Sequence, residues 1–243
     1  MPKILEEWTV QPHGELQEID DGILTVTGEI HMPLGNFPRR MTVIRLANRR
    51  TAIWSAIALD EPEMQRIEAM GAPSVLIVPN PGHRLDSKIW KQRYPDMQVL
   101  APPGGKEAIS EAVPVDATHD ILGDTQASYI VVAGTDDTES AMVVKRAGGT
   151  TLITNDIIGH VAHPHGIGAH IMARLFHYGV HEPQVPSTIK RYIKDPGALA
   201  RQLRRWADIP DLKQIIVSHG EPVVADPGGH LRRIADELEK KKT

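Results

Sequence analysis

The sequence predicts an α/β (α+β) protein built as a four-layer αββα sandwich, two mixed β-sheets face to face with helices on both outer sides. Three observations carry this. The first 57 residues read as antiparallel β-structure, and residues 60–113 then alternate α-β-α-β-α. Residues 129–156 return to strands before a closing helix, strand and helix, so the two halves share one build. Sheets with one apolar face each and helices to spare pack as such layers.

Residues 1–14 carry two prolines and little periodicity, and read as an arm over the surface. ELQEI and ILTVT (Ile23 to Thr27) flank Asp20-Asp21-Gly22, a hairpin signal in which glycine supplies positive φ. His31 to Arg40 reads as a loop. MTVIRL (Met41 to Leu46) and TAIWSAI (Thr51 to Ile57) read as strands joined by a second hairpin turn. Asp60 and Glu63 have capping-box spacing, Pro62 suits a first turn, Met64 and Ile67 make a helical stripe, and Gly71 stops it. VLIVP (Val75 to Pro79) is a short apolar run of the buried-strand type. A helix over Leu85 to Tyr94, a strand over Met97 to Pro102 and the helix GGKEAISEAV follow, and then an irregular stretch over 114–127. Three strands come next, Tyr129 to Thr135, Ala141 to Ala147 and Thr150 to Asp156. A loop over Ile157 to Pro164, a helix over Gly166 to Gly179 and a proline-punctuated crossing over 180–196 separate them from the second helical part. Asp195 caps a helix with Pro196 at its first position, IIVSH is the last strand, and Gly228 to Lys242 is the last helix.

Composition bounds the chemistry. A chain of 243 residues can bury a sizeable core, and no stretch reads as a linker, so residues 1–243 are expected to form one domain. Net charge is -4 with no clustered basic face, which argues against nucleic acid or an anionic membrane as partner. No apolar run reaches the roughly 20 residues of a membrane span. The stretch MPKILEEWTV does not read as a signal peptide, so a cytoplasmic location is expected. There are no cysteines, so any metal must use histidine, carboxylate, backbone or water.

Three apolar runs end in a polar residue followed by a turn: SVLIVPNPGH at His83, TTLITND at Asp156 and QIIVSHGE at His219. Strand ends held by a rigid sheet commonly carry catalytic or metal-binding groups. The bland alternatives are a turn-capping carboxylate for Asp156 and a turn histidine beside Gly220 for His219. His160 is a further candidate, four positions beyond Asp156. His163 and His165 read as loop residues, and His170 and His177 as helical, structural ones.

The order of these elements, with TLITND and IIVSHG, resembles the metallo-β-lactamase superfamily over Gly14 to Leu238, and within it a bacterial branch in which P-N-x-x-H replaces the H-x-H-x-D-H motif. The resemblance implies a metal-bridging carboxylate at Asp156 and a histidine ligand at His219. In the window of the main motif stand Val78, Asn80, Gly82 and His83, so only the last histidine survives. Asp136 or Asp137 stands where the family has its next histidine. The resemblance therefore implies one divalent transition metal, zinc first and iron or manganese otherwise, held by His83, Asp156 and His219, with Asp136 or His160 as further ligands. With an open coordination position, a water activated beside Asp156 would attack an ester, thioester, lactone or phosphate-type bond. Asn80 is expected to turn its amide toward the pocket. His31, Arg39 and Arg40 would lie in a loop overhanging the site, His31 and Arg39 as substrate-binding residues. The alternative is a member without metal or catalysis that binds a small molecule or protein partner. A calcineurin-like phosphoesterase would need an early D-x-H and a G-N-H-[DE] motif, and neither occurs. A homodimer is expected from the 180–196 crossing and the N-terminal arm.

Overall fold

Asp21 and Gly22 turn the chain between β1 (Gln17–Asp20) and β2 (Ile23–Met32), and Gly22 supplies the positive φ of 64°. The structure, a computed structural model, describes residues 4–32, 35–162, 174–175 and 177–240, with the side chains of 31, 32, 35 and 36 outside the description. After β2 come β3 (Gly35–Leu46), β4 (Arg50–Trp54), α1 (Glu61–Met70), β5 (Ala72–Ile77), α2 (Ser87–Arg93), β6 (Gln98–Leu100) and α3 (Lys106–Ser110). The second half holds β7 (Ala127–Val131), β8 (Ser140–Arg146), β9 (Gly149–Thr154), the short α4 (Ser187–Lys190), α5 (Pro196–Ala207), β10 (Leu212–Val217) and α6 (Pro227–Lys240).

The six strands β1 to β6 form one sheet in chain order, and the other sheet has the order β10-β9-β8-β7. The first is antiparallel through β4 and parallel from β4 to β6. In the second, only β9 and β10 run parallel. Alternate residues of each strand enter different cores, as a period of two requires. Leu24, Val26, Met41, Val43, Ile53 and Leu76 pack against Met64, Ile67, Ile89, Trp90 and Ile109 of the first helical layer. Their neighbours Ile23, Ile44, Trp54 and Ile77 meet Met142, Val144, Ile153 and Ile216 between the sheets. Val143, Leu152, Ile215 and Val217 face Leu199, Leu203, Trp206, Leu231 and Ile234. Three cores between four layers make the expected sandwich.

Several boundaries differ from the expectation. Residues 35–40 are strand, not loop: β3 pairs with β2 from Gly35 opposite Met32 to Ile44 opposite Ile23, with Pro38 opposite Glu29. A long ribbon thus replaces the overhanging loop. The strand expected over Thr51 to Ile57 stops at Trp54, because Ser55 turns to φ 53°. Asp195 caps α5 as expected, accepting a 3.0 Å hydrogen bond from the Ala198 amide. Asp60 stands before α1, yet its side chain makes no cap hydrogen bond. The N-terminal arm is anchored: Trp8 donates to the Leu59 carbonyl at 3.1 Å, and its ring lies 5.6 Å from that of Trp90. Most of the helix expected over 166–179, with Ile167 and Ile171, lies outside the described residues. Leu175 is exposed. No helix among the described residues is long and apolar enough to cross a membrane.

Candidate metal centre

The parallel pairs β4/β5 and β9/β10 carry their C-terminal ends to one place. Ser55 follows β4, Asn80 and His83 follow β5, Asn155 and Asp156 follow β9, and Ser218 and His219 follow β10. Each sheet delivers part of the constellation, and the buried strands behind it hold it rigid.

His83 Nε2 lies 3.2 Å from Asp156 Oδ1, and His219 Nε2 lies 2.9 Å from the same oxygen. One ligand atom from each residue lies within 4.8 Å of the other two. The distal ring nitrogens are also held. His219 Nδ1 is 2.6 Å from the Pro38 carbonyl, which can only accept, so Nδ1 carries a proton. Ser55 Oγ is 2.7 Å from His83 Nδ1. In neutral His219 the Nε2 lone pair would face a carboxylate oxygen, two acceptors in contact. The contact is favourable only if the ring is an imidazolium or a cation is shared between the two atoms.

Asn80 sets which carboxylate oxygen is free. Its Oδ1 accepts from the Gly82 amide at 2.7 Å, which orients the side chain. Its Nδ2 donates to Asp156 Oδ2 at 2.7 Å and to Glu139 Oε1 at 2.6 Å. Oδ2 is therefore capped and Oδ1 is presented to both imidazoles. Asn155 donates to Glu139 Oε2 at 3.2 Å, so the buried Glu139 is held by two amides.

The electrostatics follow from this contact map. Burial pushes His83 below the usual imidazole range, and Asp156 only partly offsets it. Burial pushes His219 down as well, but the Asp156 charge, its hydrogen bond and the Pro38 carbonyl outweigh it and leave His219 raised. Burial pushes Asp156 up, yet the charges and hydrogen bonds of His83 and His219 hold it well below the carboxylate range. Burial, then repulsion from Asp156, raise Glu139 well above its ordinary value. His219 thus stabilises the metal-free protein fully below its unfolded pKa, about 6.5, and this contribution is lost as pH rises through the higher folded value. A metal ion competes with that proton. Metal-induced stabilisation, read as the shift in Tm on adding zinc, is therefore expected to grow from pH 6 to pH 8. A shift that shrinks over this range would contradict the protonated His219.

The donor set fits a transition metal. Two imidazole Nε2 atoms and one carboxylate oxygen are suitable ligands, and each ring has its second nitrogen fixed from outside. Ligand atoms around a tetrahedral zinc lie about 3.3 Å apart, given bonds near 2.0–2.1 Å. The separations of 2.9 and 3.2 Å are a few tenths short of that, within reach of side-chain adjustment. Removing the Ser55 hydroxyl should leave His83 Nδ1 without its partner. Ser55→Ala is expected to weaken metal binding by about 10- to 100-fold, measured by competition with a chromophoric chelator. Unchanged affinity would remove Ser55 from the site.

His83, Asp156 and His219 thus come together, and Asn80 turns its amide to them. The other candidates stand elsewhere. Asp136 is exposed in a left-handed turn, φ 56°, with its carbonyl toward Gly104, and lies outside the ligand group. His160 also lies outside it: its Nδ1 bonds the Glu221 carbonyl at 3.0 Å, and its backbone pairs with His219 and Glu221. Arg39 is not a surface-loop residue. It is buried on β3 and paired with Asp86, itself buried and accepting from the Ala58 amide at 3.0 Å. Arg40 is buried too, and donates to Thr25 Oγ1 and to the Gly220 carbonyl. The side chain of His31, and all of His163, His165 and His170, lie outside the described residues. His177 is an exposed turn residue with φ 56°. Sequence reasoning missed Ser55, Glu139, Asn155 and the Pro38 carbonyl. Glu139, an acid directly before the apolar run of β8, offered a faint signal; Ser55 offered none. Phe37, with its ring centroid 4.7 Å from those of both His219 and Tyr178, adds an aromatic wall.

No family model matches the chain, and no curated protein matches it. Solved structures do. A metallo-β-lactamase from Erythrobacter litoralis, with β-mercaptoethanol in its active site, aligns over 91% of this chain and 96% of its own, with TM-score 0.61 and 13% identity. The metallo-β-lactamase FIM-1 from Pseudomonas aeruginosa, in its mono-zinc form, aligns over 95% and 98%, with TM-score 0.60 and 12% identity. A metallo-β-lactamase from Hirschia baltica aligns over 93% and 98%, with TM-score 0.59 and 13% identity. Nearly full coverage on both sides, two mixed sheets of six and four strands and helices on both outer faces lead to one conclusion: this chain has the metallo-β-lactamase fold.

Proposed function

We propose that this chain is a metal-dependent hydrolase of small-molecule substrates with a one-metal site, His83, Asp156 and His219. The observation that carries the reading is the aim of two buried imidazole Nε2 atoms at one carboxylate oxygen, with the far nitrogen of each ring already held. The three neighbours are metallo-β-lactamases by name, one of them in a mono-zinc form, and this supports the reading. A divalent metal held there, zinc, iron or manganese, supplies a Lewis acid and an activated water for attack on an ester, thioester, lactone or phosphate-type bond.

The chain's own residues do the rest. The Pro38 carbonyl fixes the tautomer of His219, and the Ser55 hydroxyl holds the orientation of the His83 ring. Asn80 occupies Asp156 Oδ2, so the carboxylate offers one oxygen, and this favours one metal over two. Phe37 and Tyr178 flank His219 and give an apolar part of a substrate a surface to contact while restricting water. The test is hydrolysis of a panel of esters, thioesters, lactones and phosphodiesters by metal-loaded protein. Turnover that is abolished by chelation and regained on adding zinc, iron or manganese is the expected result. A metal-loaded protein inert to all four classes would instead favour a non-catalytic binding role.

A further inference from the structure

We propose a second metal site where the N-terminal arm meets α1, formed by His13, Asp60 and Glu63 and taking a divalent transition metal such as zinc. One ligand atom from each of these residues lies within 4.8 Å of the other two. They form a group separate from His83, Asp156 and His219, and the proposal does not depend on that site.

The sequence gives Asp60 and Glu63 the spacing of a capping box, whose side chains would satisfy amides at the start of α1. The structure does not show that use. Asp60 makes no side-chain cap hydrogen bond, and the Glu63 amide is taken by the Asp60 backbone carbonyl at 3.1 Å. Among the described residues neither carboxylate accepts a hydrogen bond. The third acid of that first turn, Glu61, is paired with Arg93. Arg66, one turn beyond Glu63, donates to the Leu16 carbonyl instead.

His13 is the independent observation. Its side chain is 9% exposed, and its Nε2 points at Glu63 Oε2 from 3.6 Å, too long for a hydrogen bond. Its Nδ1 lies 2.7 Å from the Gly14 carbonyl, an acceptor only, so Nδ1 carries the proton. In the neutral ring Nε2 is a bare lone pair directed at a carboxylate. The backbone already fixes this geometry: His13 bridges to Gly28, and the Gly14 amide donates to the Thr27 carbonyl at 2.8 Å. One imidazole and two carboxylates, with water completing the shell, form a suitable set for zinc. The positive end of α1 works against a cation, so weaker binding than at His83, Asp156 and His219 is expected. The competing arrangement is a plain ion pair between a protonated His13 and Glu63, with no metal.

The experiment is equilibrium dialysis of the full chain against micromolar zinc. His13→Ala and Glu63→Gln should each bind one equivalent fewer than wild type, while Asp156→Ala keeps the equivalent that His13→Ala loses. Hydrogen exchange supplies a second readout: zinc should slow exchange of the Gly14 amide in wild type and Asp156→Ala but not in His13→Ala. Equal stoichiometry in wild type, His13→Ala and Glu63→Gln, with no zinc-dependent protection of Gly14, would overturn the site. If His83, Asp156 and His219 bound nothing, wild type would still hold one equivalent and His13→Ala none, so the two sites fail separately.

Discussion

Asp156→Ala is expected to cost roughly 100-fold or more in metal affinity at the His83–His219 site, beyond the range seen for outer-shell partners. Asp156 is the one anion of the ligand group and the one atom set that both imidazoles face. Its loss leaves two neutral donors and removes the charge that offsets the cation. The metal-free variant should show a second effect with a definite pH sign. Below the unfolded pKa of histidine, wild type gains stability from the His219–Asp156 pair, and the variant cannot. The stability difference should therefore be largest near pH 5–6 and shrink as pH rises through the folded His219 pKa, where wild type loses that contribution as well. Chelator competition and urea unfolding at several pH values measure both effects. A variant that binds zinc as tightly as wild type would place the metal elsewhere.

Gly220→Ala is the substitution expected to damage the fold most for its size. Gly220 has φ 108°, and a Cβ there would lie 1.8 Å from the His160 carbonyl oxygen and 2.8 Å from the Val161 amide. Those are backbone atoms of a tight bridge, in which the His160 amide donates to His219 and the Glu221 amide donates to His160. The Gly220 carbonyl also accepts from the buried Arg40. No rotamer change relieves the contact, so the turn that carries His219 must move. Strain and lost hydrogen bonds together suggest about 3–5 kcal/mol, a fall in Tm of about 10 °C for a chain of this length. Metal affinity should fall with it, because His219 is the preceding residue. Thermal unfolding with and without zinc reads both, and a Tm within 2 °C of wild type, about 1 kcal/mol, would mean that the turn is looser than its contacts imply.

Much of the architecture was legible because it rests on local patterns. The period-two alternation of Val143, Val144, Leu152 and Ile153 between two cores, the stop at Gly71 and the cap at Asp195 are written in adjacent residues. The strand ends at His83, Asp156 and His219 were legible for the same reason. The middle of the ribbon, His31 to Arg40, was not. Two prolines and a glycine read locally as a loop, while the pairing of Pro38 with Glu29 and Asn36 with His31 depends on a partner strand. The supporting shell was hidden for a similar reason. Nothing near Ser55 announces a hydrogen bond to His83, and nothing near Glu139 announces the Asn80 amide that it shares with Asp156. Arg39 illustrates the opposite case: a basic residue in a supposed loop suggested a substrate-binding role, whereas burial on β3 beside Asp86 gives it an internal partner.

The most direct measurement is elemental analysis of the purified protein after loading with zinc, iron or manganese and dialysis against a weak chelator that strips surface-bound ions. Wild type should retain about one equivalent of metal per chain more than Asp156→Ala or His219→Ala does. Wild type that emerges metal-free, or variants that retain as much metal as wild type, would contradict a metal centre at His83, Asp156 and His219.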